Sequence, residues 1–112
     1  MRKQIKSKKF AIKIIELYKY LCDTKKEYVL SKQVLRSGTS IGANLSESEC
    51  ASSRNDFISK IYIALKECSE TIYWLELLHE TDYINENKFS DIVRDCKEIV
   101  RILMATTKTL KT

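Results

Sequence analysis

Apolar side chains recur along this chain at alternating steps of three and four residues, and the rhythm is interrupted three times. Phe10, Ile14, Leu17 and Leu21 fall at steps of 4, 3 and 4, with Ile12 and Ile15 widening the stripe. That spacing predicts a helix over 5–23 with one buried face, leaving Lys8, Lys9, Lys13, Glu16 and Lys19 on the remainder. Residues 23–26, Asp-Thr-Lys-Lys, form a polar break with Asp23 and Thr24 available as caps.

The next segment is harder to read. Leu30, Val34, Ile41 and Leu45 carry an apolar stripe, while Ser37, Gly38, Thr39, Ser40 and Gly42 weaken helix propensity, by up to about 1 kcal/mol at each glycine. A loop competes with a helix here. One helix over 27–51 is the better fit, because the Gly38-x-x-x-Gly42 pair, with Ser37 and Ala43, leaves a smooth strip that another backbone can approach. That geometry is best attested between membrane helices and is carried to a soluble bundle by analogy.

Residues 52–56 break the pattern again, with Ser53 or Asn55 as N-cap and Asp56 in the first turn, where the helix dipole favours it. A helix over 56–80 follows, its seam running Phe57, Ile61, Ala64, Cys68, Thr71, Leu75, Leu78. Ile58, Tyr62, Leu65, Ile72 and Tyr73 lie off that seam, so this helix is to be covered on more than one side, by bundle neighbours or by another subunit. After the connection at 81–87, where Asn85 or Asn87 can cap, a helix over 86–110 carries Phe89, Ile92, Cys96, Ile99, Leu103, Thr106 and Leu110, widened by Val93 and Val100. Asp91, Arg94, Asp95, Lys97, Glu98 and Arg101 read as its solvated mixed-charge face. Four helices with short links predict an all-α, antiparallel up-down-up-down bundle occupying one domain, 1–112. The absence of proline and the presence of only two glycines agree with long helices.

Charge adds one feature. The chain carries a formal +5, and the segment 1–24 alone holds seven cations against Glu16 and Asp23, so the remainder balances to zero. A basic first helix is a candidate phosphate contact, with a merely soluble face as the alternative. The four cysteines, Cys22, Cys50, Cys68 and Cys96, form no C-x-x-C pair. They read as reduced thiols acting as small apolar side chains in a cytoplasmic protein. No apolar run approaches the roughly 20 residues that span a bilayer, and the basic N-terminal run does not lead into a signal-peptide core, so no membrane contact is expected.

Catalytic chemistry finds little support. Glu76 and His79 have the E-x-x-H spacing of di-iron bundles, but such a site needs two such motifs and two further glutamates, and the chain has one histidine. His79 reads as a surface or helix-end residue. No phosphate-loop motif or nucleophile signature occurs. Neither metal, cofactor nor catalytic residue is expected. Glu67, Glu70 and Trp74 share one side of the third helix, with Thr71 beside them, and Ser40, Asn44 and Glu47 form a similar stripe on the second. They read either as a polar network fixing the register of a partly buried helix pair or as a binding surface on which Trp74 stacks. A catalytic carboxylate pair would need a substrate pocket that nothing here supplies.

SGTSIGAN at 37–44, DFISK at 56–60, IALKE at 63–67 and ETIYWLELL at 70–78 together resemble the bacterial four-helix bundle proteins known as the 23S rRNA intervening sequence protein family. The resemblance covers nearly the whole chain. It implies a cyclic homo-oligomer, typically a pentamer, with no established enzymatic activity. One branch includes the accessory variability determinant of diversity-generating retroelements, which binds nucleic acid and a reverse transcriptase. The family motif falls on Ser40, Ile41, Asn44, Asp56, Phe57, Ala64, Glu67, Glu70, Tyr73, Trp74 and Leu75, while Ser46 and Ser48 depart from it.

The expected function is therefore a non-enzymatic oligomeric bundle that binds RNA or DNA electrostatically through Arg2, Lys3, Lys6, Lys8, Lys9 and Lys13. Five copies of a +5 helix would present about +25, enough for weak phosphate contacts to add. The alternative is a scaffold whose protein partner docks on the surface of the second and third helices.

Overall fold

The computed structural model describes residues 2–111 and consists of four helices, α1 (Arg2–Asp23), α2 (Leu30–Ser48), α3 (Arg54–Glu80) and α4 (Glu86–Lys111), with no strand among the described residues. Each helix packs on its chain neighbour, α4 closes back on α1, and the backbones of the two diagonal pairs stay apart. The result is an up-down-up-down bundle of 45 × 21 × 19 Å.

The connections account for the differences from the expected boundaries. α1 begins at Arg2, before the expected residue 5, because its first turn is held by the rest of the bundle. Gln4 Nε2 donates to Glu49 Oε1 at the far end of α2, and the Lys3 ammonium sits 5.9 Å from the centre of the Phe57 ring. Its last turn ends on Lys26 at φ 55°, a left-handed position usually given to glycine, with the Glu27 amide donating back to Leu21 O at 2.9 Å. Neither Asp23 nor Thr24 caps α2. Glu27 does: its carboxylate accepts the amides of Val29, Leu30 and Ser31 at 3.2, 3.0 and 2.7 Å. The helix therefore starts at Leu30 and not at 27, since Glu27 is spent on closing its orphan donors. At the other end the Cys50 and Ala51 amides bond Glu47 O and Ser48 O, a tightened turn that stops α2 at Ser48, short of the expected 51.

The remaining caps follow the sequence. Ser53 Oγ accepts the Asp56 amide at 3.1 Å while the Asp56 carboxylate accepts the Ser52 amide at 3.1 Å, a near-reciprocal box at the head of α3. Asn85 Oδ1 accepts the Lys88 amide at 2.8 Å at the head of α4.

The predicted seams form the core. Phe10, Ile14, Leu17 and Leu21 meet Val34, Ile41 and Leu45, then Ile61, Ala64, Cys68, Leu75 and Leu78, and Ile92, Cys96, Ile99 and Leu103, all buried. Within this apolar column the Ser37 and Thr71 hydroxyls lie 2.9 Å apart, both fully buried, and Thr71 Oγ1 also reaches Glu67 O at 2.7 Å. A satisfied polar pair inside an apolar core fixes the α2–α3 register, because any slip would strand both groups. The glycine strip faces α1: a Cβ at Gly38 would meet Ile14, and one at Gly42 would meet Ser7. Ile12 and Ile15 do not widen the α1 core stripe as expected. They are 50% and 37% exposed, since the buried arc of α1 is already filled by Phe10, Ile14 and Leu17.

Candidate nucleic-acid interface

The six cations expected to contact phosphate do not share one environment. On the α4 side of α1, Lys13 Nζ bonds Asp91 at 2.9 Å and Asp95 at 2.5 Å, Lys6 pairs with Glu98, and Arg2 lies 4.0 Å from the same carboxylate. Asp91, Asp95 and Glu98 thus line the α1–α4 seam and are not simply a solvated face of α4. Burial pulls the Lys13 ammonium downward, but its bonds to Asp95 and Asp91 outweigh that and hold its pKa above the ordinary value. Lys6 in turn holds Glu98 below the usual carboxylate range, and Lys13 does the same to Asp91. Lys3 lies over Phe57. Lys8 and Lys9 are exposed and make no ion pair among the described residues, and Lys19 joins them further along the outer side of α1.

On the α2–α3 side a second polar group forms around Arg36, which the sequence reading passed over. Its guanidinium bonds Glu67 at 3.1 Å and also bonds Glu70, while Trp74 Nε1 donates to Glu70 at 3.0 Å. Two carboxylates three residues apart on α3 would repel without this cation, and Arg36 lies one turn before Ser40 on the polar stripe of α2, which was the available signal. Hydrogen bonds from Trp74 and then from Arg36 hold the Glu70 carboxyl below its usual range. Ser40 and Asn44 do not cross to α3: Ser40 Oγ donates to Arg36 O at 2.6 Å and Asn44 Nδ2 to Ser40 O at 2.9 Å. Glu47 pairs with Lys60 at 2.9 Å.

His79 stacks on Phe89 with ring centres 4.4 Å apart and lies 2.9 Å from Glu86, tying the end of α3 to the start of α4. Among the described residues no group of three or more His, Cys, Asp or Glu side chains converges as a metal site would require. Among the described residues no helix is long and apolar enough to cross a membrane. Cys68 and Cys96 are buried as expected of small apolar side chains. Cys22 is half-buried, and Cys50 is exposed on the α2–α3 turn, where it fills no core position.

The arrangement matches a known group of proteins. The model of the 23S rRNA-intervening sequence protein family fits residues 3–105. This chain belongs to that family. It is also 53% identical to a crystallised protein of unknown function from the S23 ribosomal protein family of Bacteroides thetaiotaomicron VPI-5482. That match covers 93% of this chain and 96% of the other, with a TM-score of 0.92. No curated protein matches it.

In this member of the 23S rRNA-intervening sequence protein family the motif positions have separable structural tasks. Ile41, Ala64 and Leu75 are fully buried packing residues. Asp56 completes the α3 cap, and Phe57 lies beneath Lys3. Glu67, Glu70 and Trp74 make the Arg36 cluster, and Tyr73, 53% exposed, packs edge-on against Trp74 with centroids 5.2 Å apart. Of the two departures, Ser48 is buried with its hydroxyl on Leu45 O at 2.6 Å, and Ser46 is exposed.

Proposed function

We propose that this family member is a non-enzymatic, cytoplasmic homo-oligomer that binds RNA or DNA through phosphate contacts along α1. The observation that supports it is the division of the α1 cations. The α4 carboxylates engage Arg2, Lys6 and Lys13, and Lys8, Lys9 and Lys19 are left exposed with no ion pair among the described residues. Lys8, Lys9 and Lys19 therefore carry the contact, with Lys3 at its edge, and the paired cations hold α1 against α4.

Self-association multiplies these contacts. The family resemblance implies five copies, each repeating the α1 cations. Filter binding to structured RNA tests the reading: affinity should fall steeply with salt and be lost in a Lys8→Glu, Lys9→Glu, Lys19→Glu triple variant. Full affinity in that variant would refute it, and sedimentation velocity reads the oligomer separately.

A second reading has one observation in its favour. Ile63, 37% exposed, lies one turn before Glu67 on the strip that carries the Arg36 cluster, an apolar position where a protein partner such as a reverse transcriptase can dock on α2 and α3. Recovery of one protein after nuclease treatment, lost in Ile63→Glu or Trp74→Ala, would favour it.

A further inference from the structure

Among the described residues, the α1–α2 turn holds an exposed aromatic ring and the most exposed large apolar side chain near cations that make no ion pair, and the α1 phosphate contact makes no use of it. Tyr28 is 52% exposed and Val29 70%. They point outward because Glu27 points inward, its carboxylate taken by the amides of Val29, Leu30 and Ser31. The other side of the turn is equally fixed: Lys26 sits at φ 55°, the Thr24 amide bonds Tyr20 O at 2.9 Å, and the Glu27 amide bonds Leu21 O at 2.9 Å. Lys25, Lys26 and Lys32 lie within four residues of Tyr28 in the chain, all exposed and none in an ion pair among the described residues. The Glu27 carboxylate is thus turned away, while Lys25, Lys26 and Lys32, with the single exposed acid Asp23, face water near an exposed aromatic.

We propose that Tyr28 is a stacking platform for an unpaired base, with Lys25, Lys26 and Lys32 on the flanking phosphates, so that the ligand of this protein is single-stranded nucleic acid or a single-stranded loop. The proposal rests on the nucleic-acid reading above and narrows it. Stacking is available only to bases free of a duplex, and the fixed backbone of the turn limits the entropy lost on binding. The distribution of cations favours a strand over an anionic bilayer. Lys8 and Lys19 share one face of α1, about 16 Å apart along its axis, and continue the line of charge to the turn. A bilayer resting on the turn would leave that line unused.

Fluorescence anisotropy with a labelled unstructured single strand, and with a duplex of the same sequence, tests this on the parent, Tyr28→Ser and Tyr28→Phe. Because Tyr28 is exposed, all three should fold alike, which circular dichroism checks. The expected result is an affinity for the single strand about tenfold weaker in Tyr28→Ser, retained in Tyr28→Phe, and unchanged duplex binding throughout. Parent-like single-strand affinity in Tyr28→Ser overturns the proposal, as does an equal loss on the duplex. So does Tyr28-dependent sedimentation with phosphatidylserine vesicles in the absence of any effect on the strand. Each of these leaves the α1 phosphate contact standing. A parent protein that binds neither strand nor duplex removes both.

Discussion

Gly38 of α2 and Ile14 of α1 are packed so closely that a Cβ on the glycine would stand 2.8 Å from Ile14 Cγ1 and 2.9 Å from Cγ2. The atoms met are the branch of a fully buried side chain, which has no free end to swing away. Gly38→Ala should therefore destabilise the bundle by about 1–2 kcal/mol, an overpacking cost only partly offset by better helix propensity. Gly42→Ala is the internal control. Its Cβ would lie 3.4 Å from Ser7 Oγ, ordinary contact, and should be neutral or stabilising by up to about 1 kcal/mol. Urea denaturation measures both. In an Ile14→Ala background the Gly38→Ala cost should vanish, and persistence of the full cost there would rule out this contact as its source.

That contact also marks where sequence reading stopped. Steps of three and four identified every helix and nearly every core residue, because burying one face of a helix demands that period. The same period could not tell a seam residue from its neighbour a fraction of a turn away, so Ile12 and Ile15 were expected inside and are exposed. The small-residue strip was visible as Gly38 and Gly42, but its partner helix was not, since any helix can lie against a smooth face. Arg36 escaped notice because its role is set by Glu67 and Glu70, about thirty residues away in sequence and joined to it only by the α2–α3 register. Lys6 and Lys13 looked like free cations for the same reason: their acids are on α4.

Glu27 caps α2 from outside the helix. Its two oxygens satisfy three amides, and the residue is only 9% exposed. Glu27→Ala leaves those donors without a partner at the head of a helix and should cost about 1–2 kcal/mol. Hydrogen exchange should show faster exchange at Val29, Leu30 and Ser31 than at the middle of α2. An unchanged denaturation midpoint would show that water caps the helix as well as the carboxylate does.

The thiols should separate by position. Cys50 is exposed, Cys22 half-buried, and Cys68 and Cys96 lie in the core, where the contact with Cys96 and then burial push the Cys68 thiol up. Only thiolate reacts quickly with an aromatic disulfide reagent. The folded protein should therefore release one equivalent rapidly, from Cys50, and Cys50→Ser should abolish that phase. Cys68 and Cys96 should react only as the bundle unfolds. Rapid labelling of Cys96 in the native protein would mean that the α3–α4 seam opens far more often than its packing implies.

Glu70 makes stability depend on acid in a defined direction. Trp74 and Arg36 depress its folded pKa, so between that value and the ordinary carboxylate value of about 4.3 the unfolded chain binds more protons than the folded one. Its contribution is fully present above the ordinary value and is lost as pH falls through the depressed one. Glu98 and Asp91, lowered by Lys6 and Lys13, act with the same sign. Lys13, raised by Asp95 and Asp91, contributes below its unfolded pKa of about 10.4 and loses that only as pH rises through the higher folded value. Stability should accordingly be flat through neutrality and fall on the acid side. The Glu70 share is small, because its side chain is 36% exposed and screened. Urea midpoints from about pH 5 to pH 3 should decline less in Trp74→Phe, which removes the larger hydrogen bond, and less again in Arg36→Met with Trp74→Phe. The carboxyl resonance of Glu70 in the parent should titrate below the usual glutamate range and move back toward it in each variant. An acid limb equally steep in the parent and the double variant would show that the Arg36 cluster holds the surface of α3 in shape without contributing to its stability.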